Sequence, residues 1–183
     1  RRRCVVESVH DQSEDTGSHA RPHSRMIAAG VRYRGYCSDI TRTTPGAGEG
    51  RFAALIQGLE QLQQRLCEMV APGVEYVAIH RKTHQGIAAL LNAAGVVQGV
   101  DDETLVEQGV TRAFFPHGIG HFLGVQVHDV SGKKEPPPSD APFLRLTRTL
   151  AAGMVVLIEP GLYIIPSLLC PVSVSSTYLT LPT

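Results

Sequence analysis

The chain has 183 residues, 17 basic against 17 acidic side chains, no formal net charge at neutral pH and 43% hydrophobic content. These values exclude a disordered tail protein and leave no electrostatic footprint for nucleic acid or a membrane surface. A chain of this length admits one domain with a real core, or a piece of a larger one. Cys4, Cys37, Cys67 and Cys170 are scattered without a CxxC spacing, which rules out a zinc ribbon or a thioredoxin-like motif. With polar residues rather than an apolar stretch after RRRC, scattered thiols imply a reducing, cytoplasmic setting. The apolar runs are too short to span a bilayer.

Residues 1–25 are rich in His, Ser, Asp, Glu and Arg and have no period, which predicts an exposed, disordered segment. From Met26, MIAAGVRYRGYCSDITRT places β-branched and aromatic residues around Gly30 and Gly35, as a hairpin does. PGAGEG follows as a linker, since it lacks the Lys-Ser/Thr ending of a phosphate-binding loop. Phe52, Leu55, Ile56, Leu59, Leu62, Leu66 and Met69 recur at spacings of three and four, so they share one helical face that ends at Pro72-Gly73. A second helix is expected from about Val74 to Ala94, stopped by Gly95. It carries His80 and His84 at i,i+4, a metal-capable spacing, but HRKTH lacks the glutamate of HExxH and reads as a solvated or structural face. Acidic DDETLVEQG leads into FPHGIGHFLGVQVHDV. KKEPPPSDAP is then a proline-rich loop. In GMVVLIEPGLYII the near-continuous apolar run Met154–Ile158 predicts a buried strand. The tail SLLCPVSVSSTYLTLPT has little charge and no clear pattern.

The run FPHGIGHFLGVQVHDV concentrates His117, His121 and His128 among glycines. Neutral imidazole is the commonest metal ligand and the usual proton carrier near neutral pH, and glycine lets backbone come close to an ion or substrate. Asp39 ends the strand-like GYCSD, and Glu159 ends VVLIE. A carboxylate after five apolar residues is costly to bury unless it is paired or metal-bound. Two carboxylates and one imidazole form a mostly hard donor set, suited to Mn²⁺, Co²⁺ or Mg²⁺-like ions, with Zn²⁺ also admissible.

With these motifs in order, AAGVRYRGYCSDITRT, then FFPHGIGHFLGVQVHDV, then GMVVLIEPGLYI, the chain resembles the metallopeptidases of the pita-bread fold, most closely the bacterial Xaa-Pro dipeptidases (prolidases). The resemblance covers residues 26–171. It implies an α+β fold in which a curved antiparallel sheet is covered by helices, with the site in its concavity. It implies two metal ions about 3.5 Å apart bridged by water or hydroxide, most often Mn. It assigns Asp39, His121 and Glu159 as metal ligands, and Glu159 also as proton acceptor for the attacking water. It assigns His117 and His128 as catalytic helpers that hold substrate and stabilise the transition state. The implied partner is a dipeptide with C-terminal proline.

Two departures temper that expectation. Ala28, in IAAG, stands where the family carries an aspartate ligand, and no Arg-Ile-Glu string is present to supply the family's last glutamate. Residues 1–25 and 172–183 read as atypical segments flanking a partial catalytic domain, and His10 there reads as a chance match to a substrate-site histidine. An incomplete sheet predicts exposed edges and self-association, a homodimer included. Three functional classes follow. They are an impaired metal-dependent dipeptidase, a non-catalytic fragment or binding module, and a metal-free creatinase-like enzyme using His117 or His128 as base.

Overall fold

The hairpin expected around Gly35 forms as a long ribbon. The computed structural model describes residues 4–5, 24–46, 50–165 and 168–169. His10, the rest of the 1–25 segment apart from Cys4–Val5 and Ser24–Arg25, and the 172–183 tail lie outside the described residues. Strand β2 (Ser24–Tyr33) turns at Arg34-Gly35, with φ of 50° and 92°, into β3 (Tyr36–Cys37) and β4 (Ile40–Pro45). Two successive positive φ values make the primed turn whose twist suits a two-residue hairpin. β3 and β4 are one partner strand in a single antiparallel register with β2, from Tyr33↔Tyr36 to Ser24↔Pro45, interrupted only at Ser38–Asp39. β1 (Cys4–Val5) pairs antiparallel with Val31 and Gly30 of β2.

The interruption has a local cause. Ser38 N–H donates to the Val31 carbonyl at 2.9 Å, but Val31 N–H turns to the Ser38 hydroxyl oxygen at 3.0 Å instead of a backbone carbonyl. The Ser38 carbonyl is thereby pressed against Gly30, where any Cβ would collide with it. Asp39 follows this kink, on the face of the ribbon shared with Gly30 and, two residues along, with Ala28. The opposite face is open, with Ile27 and Val31 exposed at 47% and 46%.

Helices α1 (Gly50–Glu68) and α2 (Tyr76–Ala93) follow; α2 lies within two residues of its expected ends, and α1 stops at Glu68, short of the expected Pro72-Gly73. Their apolar faces meet over Leu55, Leu62, Leu66, Ile79, Ile87 and Leu91, all buried. Two short helices, α3 (Asp102–Glu107) and α4 (Val110–Phe114), replace the featureless acidic lead-in that the sequence suggested. Asp101 explains the first of them. Its carboxylate accepts from Thr104 N–H at 2.9 Å and from the Thr104 hydroxyl at 2.8 Å, satisfying N-terminal donors that otherwise have no partner.

The expected strand Met154–Ile158 does not form as a regular strand; a single antiparallel bridge, Phe122↔Val156, and a few backbone bonds pair this segment with residues 119–123. Leu123 N–H donates to Val155 O at 3.1 Å, Leu157 N–H to His121 O at 2.9 Å and Glu159 N–H to Ile119 O at 2.7 Å. It is buried on one side only: Ile158 is 7% exposed and Val155 58%. Ile119, Phe114, Phe115, Leu144 and Leu146 join the helical faces in a single core.

His80 and His84 settle as a structural pair inside this core, not as a solvated face. They are 3% and 7% exposed, packed edge-to-face at 4.7 Å and flanked by Phe115. His84 Nδ1 meets the Thr111 hydroxyl at 3.0 Å, while His80 Nδ1 is buried without a hydrogen-bond partner. Burial disfavours the charged imidazolium and lowers both pKa values to about 4.

Candidate metal centre

The kinked end of the ribbon is bonded to the histidine loop. Cys37 N–H donates to the Gly124 carbonyl at 2.8 Å. Arg32 Nη2 and the Cys37 thiol both reach the Val125 carbonyl, at 3.1 and 3.3 Å. These bonds hold the kinked end of the ribbon against the histidine loop and bring Asp39 beside His121. The antiparallel pairing of residues 119–123 with 155–159 brings Glu159 to the same place.

His121 Nε2 lies 3.4 Å from Glu159 Oε2 and 3.9 Å from Asp39 Oδ2. One donor atom from each of the three residues falls within 4.8 Å of the others. Together they fit a divalent ion. His121 Nδ1 lies 2.8 Å from the Phe122 carbonyl. A carbonyl only accepts, so Nδ1 carries the proton and Nε2 presents its lone pair to the two carboxylates, the tautomer a metal ligand needs. Burial raises the Glu159 carboxyl above its ordinary value, the Asp39 charge adds to the rise, and His121 and Arg145 oppose it. A cation between the carboxylates offsets both costs.

The other histidines of the run line the cavity beside this cluster, about 550 Å³ in volume, with Lys133, Phe143 and Arg145 on its wall. The His128 ring stands edge-on to His121 at 4.3 Å and is exposed. His117 is half-buried, and desolvation lowers its pKa while a bond to the Gly118 carbonyl opposes the shift. That bond, at 2.9 Å, puts the proton on Nδ1. Nε2 then accepts from the Tyr163 hydroxyl at 3.0 Å. Tyr163 and Arg145 are site residues that sequence reasoning did not single out. Tyr163 stands in the same GMVVLIEPGLYII string as Glu159, which was a usable signal. Arg145 is an isolated cation in a loop, and nothing local marks it.

Ala28, half-buried on the ribbon face that it shares with Asp39, offers only a methyl group to that face. Among the described residues, the three-residue cluster is the sole grouping of His, Cys, Asp or Glu able to hold an ion.

A hairpin carboxylate, a glycine-flanked histidine and the glutamate of IEPG thus converge into one cluster able to hold an ion. The chain belongs to metallopeptidase family M24, whose profile matches residues 7–179, further than the 26–171 stretch carried by the motifs. It is 71% identical over 164 residues to a Xaa-Pro dipeptidase of Marinobacter nauticus, covering 90% of this chain and 38% of that protein. It is 50% identical over 161 residues to a Xaa-Pro dipeptidase of Shewanella loihica, covering 82% of this chain and 36% of that protein. Among solved structures it is similar to Escherichia coli aminopeptidase P, with a TM-score of 0.67 and 33% identity over 78% of this chain and 31% of that one. Pseudomonas aeruginosa aminopeptidase PepP gives a TM-score of 0.65 at 32% identity and the same coverage. The chain thus spans about a third of the length of the relatives it matches and carries part of the pita-bread fold.

Proposed function

We propose that this chain carries part of the catalytic domain of a Xaa-Pro dipeptidase, with Asp39, His121 and Glu159 holding one divalent ion, Mn²⁺ first and Co²⁺ or Zn²⁺ as substitutes. The observation that carries this is the convergence of the three donor atoms around a His121 ring whose Nδ1 is already engaged. The relatives named Xaa-Pro dipeptidase support the substrate class, a dipeptide ending in proline.

An ion bound here supplies a Lewis acid for the scissile carbonyl and lowers the pKa of water. The side chains supply the rest. Glu159 accepts the proton of the attacking water at a carboxylate oxygen facing the cavity. His117 and His128 line the wall on which the substrate carbonyl lies, and the Tyr163 hydroxyl fixes the His117 ring. Arg145 and Lys133 give a dipeptide's free carboxylate a cationic wall, and Phe143 offers its ring to the pyrrolidine. No helix among the described residues is long and apolar enough to cross a membrane. Cys37 and Cys67 are free thiols, which supports a reducing, cytoplasmic setting.

Ala28 favours a second reading, a module that binds one ion without turnover, because two-ion positioning is lost with the aspartate. Calorimetric Mn²⁺ titration of the full chain, with Gly-Pro and Leu-Pro hydrolysis measured in parallel, separates the two. We expect one tightly held ion and turnover that is weak at best. One ion with no turnover above blank selects the module. No ion at all ends the metal-centre reading.

A further inference from the structure

The segment bearing Glu159 is gripped from behind by the two long helices. From α1, Gln63 Nε2 donates to the Ile158 carbonyl at 2.7 Å. From α2, the Tyr76 hydroxyl donates to the Leu157 carbonyl at 2.5 Å. These are consecutive carbonyls, immediately before the proposed metal ligand. Tyr76 is fully buried, so its hydroxyl has no solvent alternative. The same spot explains Gly120, at φ 151°. A Cβ there would run into the Leu157 carbonyl and lie 2.6 Å from the Tyr76 hydroxyl. The histidine loop, the Glu159 segment and both helices therefore interlock at one point. Leu157 and Glu159 also spend their N–H groups on the His121 and Ile119 carbonyls.

We propose that Gln63 and Tyr76 are positioning residues for the metal centre: they set the height and tilt of the Glu159 segment against His121 by holding the Leu157 and Ile158 carbonyls. Neither reaches the cavity, so both act through backbone. The inference rests on the reading of Asp39, His121 and Glu159 as an ion site, and it names the helical support that makes that site rigid. Outer groups of this kind hold metal ligands in productive geometry, and losing one typically weakens affinity ~10–100-fold.

The test uses the full chain, the isosteric variants Tyr76→Phe and Gln63→Met, amide hydrogen exchange without metal, and Mn²⁺ titration. Both variants should speed exchange at the Leu157 and Glu159 amides about tenfold or more, leave the amides of α3 unchanged, and weaken Mn²⁺ binding ~10-fold or more. A merely structural contribution would instead lower the melting temperature and speed exchange evenly, with the Mn²⁺ affinity of the folded protein unmoved, and that pattern overturns the proposal. So does unchanged exchange at Leu157 and Glu159. If the unaltered chain binds no Mn²⁺, the ion-site reading fails by itself, and the exchange at the two amides still decides the clamp. Gln63 is half-buried on α1, so its variant keeps the test open should Tyr76→Phe not fold.

Discussion

The ribbon of residues 24–45 and the helical core each contribute to one candidate metal centre, but they are held in different ways. In the core, side chains from α1, α2, α4 and the Glu159 segment exclude water together. Tyr76, Ile79, Ile87, Leu91 and Phe114 have no exposed surface. In the ribbon, one face supplies Asp39 while the other leaves Ile27, Val31, Tyr33 and Ile40 exposed. The core thus orders His121 and Glu159 by burial. The ribbon positions Asp39 by a hydrogen-bonded kink and a few bonds from Arg32 and Cys37 to the histidine loop. Burial is worth more than surface hydrogen bonding, so the two halves of the site should respond differently to mutation.

The contrast is sharpest in stability. Leu91→Ala should cost about 2–5 kcal/mol, because the fully buried leucine leaves a cavity that the helices cannot close. Urea unfolding measures it, and a cost below about 1 kcal/mol would mean that the core is not the rigid half. Asp39→Ala should weaken Mn²⁺ binding at least about 100-fold, the upper end of what loss of an outer partner does, yet leave the unfolding midpoint unmoved. A large fall in stability instead would show that the ribbon is folded through Asp39 and not around it.

Acid should attack the core first. The folded pKa of His80 and of His84 lies near 4, below the ordinary 6.5. As pH falls from 6.5 toward 4, the unfolded chain takes up protons that the folded chain refuses, so stability drops across that window and is fully present above it. Denaturant midpoints at pH 7 and pH 5 check this, and His80→Leu should flatten the difference. Equal midpoints in the unaltered chain would remove the buried pair as the cause. The smallest effect belongs to the open face of the ribbon. Val31→Thr, on a residue 46% exposed, should change stability by no more than about 0.5 kcal/mol. A larger loss would show that this face is covered in solution.

Much of this was legible locally. Apolar residues at spacings of three and four place α1 and α2, Pro72-Gly73 and Gly95 end them, and Arg34-Gly35 turns the ribbon. Asp39, His121 and Glu159 stand out because each is a metal-capable side chain at the edge of an ordered element, and His121 and Glu159 also adjoin glycine or proline. Helices α3 and α4 were passed over, although Asp101 three residues before Thr104 is a usable cap signal. The burial of His80 and His84 was beyond local reading, since an i,i+4 pair looks the same on a wet face and a dry one until its neighbours are known.

By itself the sequence determined which segments are helix or hairpin and which side chains have the chemistry to hold an ion, because both follow from near neighbours along the chain. The tertiary structure alone decided that three donors far apart in sequence share one small volume. It also decided that Arg145 borders the cavity, that Tyr163 bonds the His117 ring on its wall, and that Gln63 and Tyr76 hold the segment before Glu159. Those facts depend on which faces meet when the core closes, and no short-range pattern records where a side chain's distant partner will be.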